Sequence, residues 1–329
     1  MNRNKKLWVM LGAVLLTSAL IQKWAQNPKR APQTPMRGAA TNAIPAFSDR
    51  TRTNLASAFP QARVPLPQST NDSVSLIVRG KNEDFWAKMK AVHSLGSHLT
   101  TNEIASLYEL LRSREYPPDR LTKGGVRVLK NDIINALQRQ QPPPKNLGAL
   151  LVGLFEDRQQ DPIVRDYALQ HLVTSADGTH QFGTAPTGES VLSLPVVAST
   201  LTEGLKETDS QIAGTALLGL NALQPADGSD AGKLVDRQAL ALAADTNANA
   251  FARAAAIQVC SLRDVTDAAP IAQRLSLASE SLPLRIAAVN ALGSLGGQPE
   301  IAALNELATG TEAALRPVAL AALARLKLR

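Results

Sequence analysis

The side chains best suited to metal or nucleophilic chemistry are few in this sequence of 329 residues. Its four histidines are His93, His98, His171 and His180, and Cys260 is its only cysteine. The spacing of His93 and His98 does not place them on one face of a helix, and no acidic third ligand stands at the spacing of a zinc site. The sequence has no phosphate-binding loop, dinucleotide fingerprint or nucleophile elbow. It therefore predicts no metal site, no cofactor and no catalytic residue.

A second set of polar side chains has the chemistry of peptide recognition. Carboxamide, carboxylate and imidazole groups recur at regular places along the chain, and such groups form short-range hydrogen bonds with a peptide. The residues that we predict to bind a partner are His93, Asn131, Asn135, Asp166, Gln170, Gln258 and Asn290. The alternative is an ordinary solvated helix face. If the set does bind a partner, substituting it abolishes binding and leaves the melting temperature unchanged.

A repeated phrase positions these residues. Residues 212–220 return with changes at 284–292 and 315–323, and more distantly at four other places. The second residue of the phrase, called position 0 below, is basic in six of the seven copies: Lys88, Lys130, Arg165, Ala213, Arg253, Arg285 and Arg316. Position +3 is alanine in all copies but one, and position +7 is leucine in all but one. Offsets of three, four and seven define one face of a helix.

Each repeat contains a second helical signal. Apolar periodic stretches precede the phrases at 101–111, 146–155, 192–205, 234–243, 268–277 and 300–307. Good helix N-caps stand four residues before position 0: Asp84, Asp161, Asp209, Asn249 and Ser281. The repeated unit is therefore predicted to be two antiparallel helices joined by a short turn.

Cys260 occupies position +7, where later copies carry Leu292 and Leu323. A lone cysteine forms no intramolecular disulfide and no thiolate metal cluster. Its place in the apolar pattern predicts a buried, small apolar residue.

Residues 161–172 and 281–293 resemble the second helix of HEAT repeats, particularly the short kind found in bilin lyases, and the resemblance covers about residues 80–329. It implies an all-α fold, a right-handed α-solenoid of about seven two-helix HEAT-like repeats. In that family the Asp and Arg of successive units form a hydrogen-bonded ladder. Arg165, Arg253, Arg285 and Arg316 match the arginine, Asp161 and Asp209 match the acid, and Ala213 interrupts the series. The resemblance implies a structural role for these arginines.

Stacked repeats form extended binding surfaces. We therefore expect a non-catalytic scaffold or adaptor that binds a protein or peptide through the concave face of the solenoid. One alternative is a bilin-lyase-like protein that binds or processes a small chromophore, which visible absorbance or a reactive Cys260 would favour. Another is a structural spacer, which would tolerate substitutions in the predicted binding set.

The charge distribution argues against nucleic acid as the partner. The net charge of +7 arises in residues 1–72, which hold ten basic side chains and only two acidic ones. Residues 73–329 hold 25 basic and 26 acidic side chains. The repeats therefore lack the positive excess that phosphate binding needs.

The first residues read as a targeting segment. Arg3, Lys5 and Lys6 precede an uncharged apolar run over residues 7–21. As a helix this run would reach about 22 Å, less than a bilayer core of about 30 Å. Residues 1–21 are thus a signal peptide or a membrane anchor, residues 22–78 a Pro-rich basic disordered linker, and residues 79–329 the solenoid. The predicted location is membrane-anchored or exported, hence periplasmic or extracytoplasmic.

Two insertions and the carboxyl end complete the prediction. Residues 113–125 and 175–190 lengthen turns, and they are either tolerated surface loops or part of a binding face. The last predicted helix, at 312–326, is apolar nearly all round. Because a solenoid normally ends with a polar outer face, we expect end-to-end self-association or a partner at this terminus.

Overall fold

The computed structural model describes residues 70–79, 84–114, 121–176, 194–223, 228–277 and 279–328. The predicted signal peptide or anchor at 1–21, most of the linker at 22–78, and parts of the two insertions lie outside the described residues.

The described ranges contain fourteen α-helices and no strand. The helices are α1 (Thr70–Arg79), α2 (Phe85–His93), α3 (Thr101–Arg112), α4 (Lys123–Gln138), α5 (Leu147–Glu156), α6 (Pro162–Ala176), α7 (Leu194–Gly204), α8 (Ile212–Ala222), α9 (Asp230–Ala244), α10 (Ala250–Leu262), α11 (Ala269–Leu275), α12 (Leu282–Leu295), α13 (Gln298–Thr309) and α14 (Arg316–Lys327). A single 3₁₀ turn, Thr266–Ala268, precedes α11.

Consecutive helices pack as seven hairpins, α1 with α2 through α13 with α14. The second helices of the hairpins also pack on one another in chain order, from α2 to α14. The prediction of an all-helical array is thus confirmed, and this order of packing is that of an α-solenoid.

The array begins earlier than the sequence predicts. Helix α1 lies within the predicted linker at 22–78, yet it packs on α2 and α3. Its Ile77 is fully buried and Val74 nearly so. The helix is easily missed because it is short and directly follows a Pro-rich segment. The boundary predicted at residue 79 is therefore wrong by one helix.

Side-chain caps fix several helix starts. Asp84 accepts a hydrogen bond from the backbone nitrogen of Ala87, and Asn249 accepts one from that of Phe251. Ser281 is the N-cap of α12 but makes no side-chain cap bond. Asp209 was predicted as an N-cap, but α8 begins only at Ile212.

Small residues let the helices approach closely. The alanines at position +3 of the third to seventh repeats have no exposed surface: Ala168, Ala216, Ala256, Ala288 and Ala319. The core that they help to form runs between the first and second helices of the hairpins. This core occupies one side of each second helix. The other sides are therefore left to contact neighbouring repeats or solvent.

Candidate functional site

One side of each second helix faces the following repeat. A Cβ added at Gly214, position +1 of α8, would lie 2.8 Å from the Cα of Ala252 in α10. A Cβ added at Gly293, position +8 of α12, would lie 2.6 Å from the Cα of Ala322 in α14. Positions +1, +4 and +8 lie on the same side of a helix. Position +4 therefore belongs to the same inter-repeat surface.

Position +4 is covered in every repeat except the last. Its exposed fraction is 0% in the first six repeats, at Val92, Ile134, Leu169, Leu217, Ile257 and Val289. In the seventh repeat the same position is Leu320, which is 56% exposed. The side chain has the apolar character of an inter-repeat contact, but none of the described residues covers it.

We call the outward side of α14 the end face. It consists of exposed residues one, four, five, eight and twelve positions after Arg316: Pro317, Leu320, Ala321, Ala324 and Leu328. Leu328 is 87% exposed. All five side chains are apolar, and basic Arg316, Arg325 and Lys327 belong to the same helix.

The position 0 side chains join each hairpin to the next. Arg165 donates from Nε to the carbonyl of Phe155, at 2.7 Å, near the end of α5. Its two terminal nitrogens donate to the carboxylate of Glu207, at 2.8 and 2.6 Å, in the turn of the next hairpin. Arg285 repeats this arrangement with the carbonyl of Ser276, at 3.1 Å, and the carboxylate of Glu312, at 2.6 and 2.7 Å.

Arg253 makes the same paired contact with Glu280, at 3.0 and 3.2 Å. The hydrogen bonds from Arg285 hold the pKa of Glu312 below its usual range. Arginine binds a carboxylate through two parallel hydrogen bonds, so each pair fixes the orientation of two neighbouring hairpins.

The ladder differs from the predicted one in its acids. Its acceptors are Glu207, Glu280 and Glu312 instead of the predicted aspartates. Asp161 binds Arg127 within the neighbouring repeat, at 3.0 and 2.9 Å, while Asp209 is exposed. The glutamates were missed because they stand at different distances before position 0, which a fixed-offset alignment does not align. Ala213 interrupts the ladder, as the sequence predicts.

Two lysines replace arginine in the first repeats. Lys88 donates to the carbonyl of Ile77, at 3.2 Å, and Lys130 to that of Leu111, at 3.0 Å. Burial lowers the pKa of Lys130 to about 8, against the opposing effect of Asp161 and Asp157. Each lysine thus binds the carboxyl end of the first helix of its own hairpin.

The ladder stops at the end face. Arg316 donates to the carbonyl of Gly310, at 3.1 and 2.9 Å, as Arg165 and Arg285 donate to carbonyls of their own hairpins. It is exposed, and no carboxylate among the described residues pairs with it. The carboxylate that Arg165, Arg253 and Arg285 each take from the following hairpin has no counterpart at Arg316 among the described residues.

The predicted binding set does not form one accessible stripe. Asp166 is only 1% exposed. Its Oδ2 accepts hydrogen bonds from Gln170, at 2.8 Å, and from Gln211 of the next hairpin, at 2.6 Å. Burial raises the pKa of the Asp166 carboxyl, against the effect of these hydrogen bonds. The prediction that Asp166 faces a partner is therefore wrong, because position +1 turns toward the following repeat.

Asn131 also contributes to a contact between repeats. Its Oδ1 lies 3.0 Å from Nε2 of His171 in α6, and Nδ1 of the same ring lies 3.0 Å from Oε1 of Gln138. His171 and Gln138 are both buried. These side chains form a polar link between α4 and α6, which sequence periodicity did not reveal.

The remaining members of the set all stand at position +5 of a second helix. Nε2 of His93 is 3.0 Å from Oδ2 of Asp132, and Oδ1 of Asn290 accepts a hydrogen bond from Arg325 at 3.1 Å. Both His93 and Asn290 are exposed, while Asn135 and Gln258 are half-buried. A binding role for these four residues stays a prediction.

The groups that could support chemistry are not gathered in the described residues. Cys260 is fully buried, as predicted, and burial raises its pKa to about 12. A thiol in that state is a poor nucleophile at neutral pH. The described ranges contain no group of three or more His, Cys, Asp or Glu side chains placed to hold a metal.

An open cavity of about 840 Å³ lies between α3 and α5. Arg114 and Asp157 line it and bind each other, at 2.9 and 3.0 Å. Hydrogen bonding from Arg114 holds the pKa of Asp157 below its usual value. These charges neutralise each other instead of converging on the cavity.

Within the part of the chain that the structure describes, no helix has the length and apolar character needed to cross a membrane.

The geometry defines an all-helical repeat protein whose neighbouring hairpins are joined through their second helices. No known protein family and no curated protein matches the chain. Among solved structures, the chain is similar to human deoxyhypusine hydroxylase in complex with glycerol. The two are 16% identical, the match covers 80% of this chain and 97% of the hydroxylase, and the TM-score is 0.31.

This comparison corrects one prediction. The HEAT-like repeats of the sequence predict a non-catalytic scaffold or adaptor that binds through its concave face. The solved structure is that of an enzyme with HEAT-like repeats. The step from this repeat fold to a non-catalytic scaffold is therefore wrong. At 16% identity and a TM-score of 0.31, the likeness also establishes no activity for this chain.

Proposed function

We propose that the array associates end-on with another protein through the end face on α14. The observation that carries this proposal is the exposure of Leu320, which is 56% exposed where the six equivalent residues are fully buried. The proposed binding surface on α14 is equivalent to the surface through which each earlier second helix contacts the next repeat.

Exposure of this apolar face to water costs free energy that a bound partner would recover. Burial of a leucine side chain contributes about 1.5–3 kcal/mol. Terminal repeats of solenoids normally have a polar outer side, but Leu320, Ala321, Ala324 and Leu328 are apolar and exposed. A partner that covers them gains this burial without a rearrangement of the array.

Arg316 indicates the polar chemistry of the partner. Arg165, Arg253 and Arg285 each bind a glutamate from the turn of the following hairpin. A partner that presents an apolar helix surface with a carboxylate beside it would satisfy both Leu320 and Arg316.

The proposal includes the finer description of the fold. The arginine–glutamate ladder supports HEAT-like repeats in a right-handed solenoid, whose handedness stays a prediction. Attachment to a membrane, and location outside the cytoplasm, rest on residues 1–21 alone and stay predictions as well.

Photocrosslinking in the native cells tests the proposal. The full chain carries a photoreactive phenylalanine analogue at Leu320, or at the exposed Ala149 of α5 as the matched control. We expect a discrete protein adduct at Leu320 that Arg316→Glu reduces, and no such adduct at Ala149. The crosslinked protein, identified by mass spectrometry, should then bind the purified chain. No adduct at Leu320, or the same adducts at both positions, contradicts the proposal.

A further inference from the structure

We infer that the protein bound at the end face is a second copy of this chain, which docks through its first repeat. This inference rests on the proposed function and names its partner. Chains would join head-to-tail, with α14 of one copy against α2 of the next.

The first repeat presents the surface that matches the end face. Contacts between repeats place positions −1 and +2 of a second helix against the preceding repeat, as Ala252 and Ala255 of α10 do at Gly214, where position −2 approaches with the backbone oxygen of Phe251. Position −1 is at most 1% exposed in repeats two to seven, at Leu129, Val164, Ile212, Ala252, Leu284 and Leu315.

In the first repeat these positions are not covered by the described residues. Position −1 is Ala87, which is half-buried, and position +2 is Lys90, which is exposed. Beside them, at position −2, stands Trp86, which is 75% exposed, against 37% for Val128 and 45% for Phe251 at the same position of other repeats. Among the described residues, nothing covers this receiving surface on α2 or the donating surface on α14. The indole of Trp86 supplies a large apolar area for Leu320.

The ladder supports the same pairing. Glu312 stands four residues before Arg316 and binds Arg285 of the preceding repeat. Asp84 stands four residues before Lys88 and is exposed at the start of α2. In a head-to-tail contact Asp84 of one copy would take the place that Glu312 has within the chain. Arg316 of the other copy would then have its missing carboxylate.

The charges disfavour a two-fold contact between two end faces. Such a contact would bring the exposed basic residues Arg316 and Lys327 of α14 against the same residues of a second α14. Like charges brought together oppose association. A head-to-tail contact uses two different surfaces, so it can continue from copy to copy.

Mixing two complementary variants tests this inference. Purified full-length wild-type protein should show a mass that rises with concentration in analytical ultracentrifugation. Leu320→Glu removes the donating surface and Trp86→Glu the receiving one, so each variant alone should be a monomer. Each variant keeps the surface that the other has lost. An equimolar mixture should therefore form a heterodimer and no larger species.

The control is Leu277→Glu, since Leu277 is 58% exposed but lies outside both surfaces. It should associate as the wild type does, and unchanged melting temperatures would show that all three variants are folded. A wild type that stays monomeric overturns the inference, as does a mixture that fails to pair. The crosslinking experiment at Leu320 tests the proposed function independently of this mixing experiment. An adduct with another protein would keep the proposed function while this inference falls.

Discussion

Arg285 is a buried side chain that binds two hairpins at once. Its guanidinium lies between the carbonyl of Ser276, which belongs to its own hairpin, and the carboxylate of Glu312 in the next. Arg316 is its equivalent in the last repeat and has only the first of these two partners. Substitution of each residue in turn therefore distinguishes two contributions to stability: that of the paired contact with a glutamate, and that of the arginine side chain bound to its own hairpin.

Replacement of Arg285 by alanine should lower the free energy of unfolding by about 1–3 kcal/mol, because it leaves the buried carbonyl of Ser276 unpaired and removes the contact with Glu312. Arg316→Ala should cost less than about 1 kcal/mol, as expected for an exposed side chain. Urea unfolding followed by circular dichroism measures both values. Equal losses in the two variants would show that Glu312 adds nothing to the ladder.

At the scale of the elements, two glycines in helices have opposite surroundings. Gly293 of α12 is buried, and a Cβ there would lie 2.6 Å from the Cα of Ala322. Gly153 of α5 is exposed, and a Cβ there would have no neighbour within 4 Å. Backbone contact between α12 and α14 therefore depends on the missing side chain at residue 293.

Gly293→Ala should destabilise the array by about 1–3 kcal/mol, because α14 must shift away from α12. Gly153→Ala should stabilise it by up to about 1 kcal/mol, through helix propensity alone. Thermal unfolding of the two variants measures both effects. A stable Gly293→Ala protein would mean that α14 does not pack closely on the repeat before it.

At the scale of the whole molecule, the features that the sequence predicts correctly are those set by the period of its apolar residues. The hairpins, the small residues such as Ala168, and the buried Cys260 follow from an apolar repeat, and the structure has them. The arginines at position 0 are likewise where the alignment places them. These features depend only on spacing within one helix.

Features that depend on how neighbouring helices pack were not predictable in this way. Asp166 was placed on a binding face because its offset avoids the core, but the packing of α6 on α8 turns it into the interface between repeats. The ladder glutamates stand at unequal distances before position 0, and α1 is a short helix directly after a Pro-rich segment. The end face was predicted only as an apolar helix. Its identification as an uncovered contact surface depends on the burial of position +4 in the six other repeats, which only the structure shows.

The central claim is that α14 of one chain is covered by another protein chain. Hydrogen–deuterium exchange of the full-length protein, compared at low and high concentration, tests it most directly. The inference of a second copy predicts slower exchange at high concentration in peptides spanning 316–328 and 84–94, with no change in α5. Unchanged exchange in α14 at the concentration where the sedimenting mass rises would show that chains associate elsewhere, and would contradict the account.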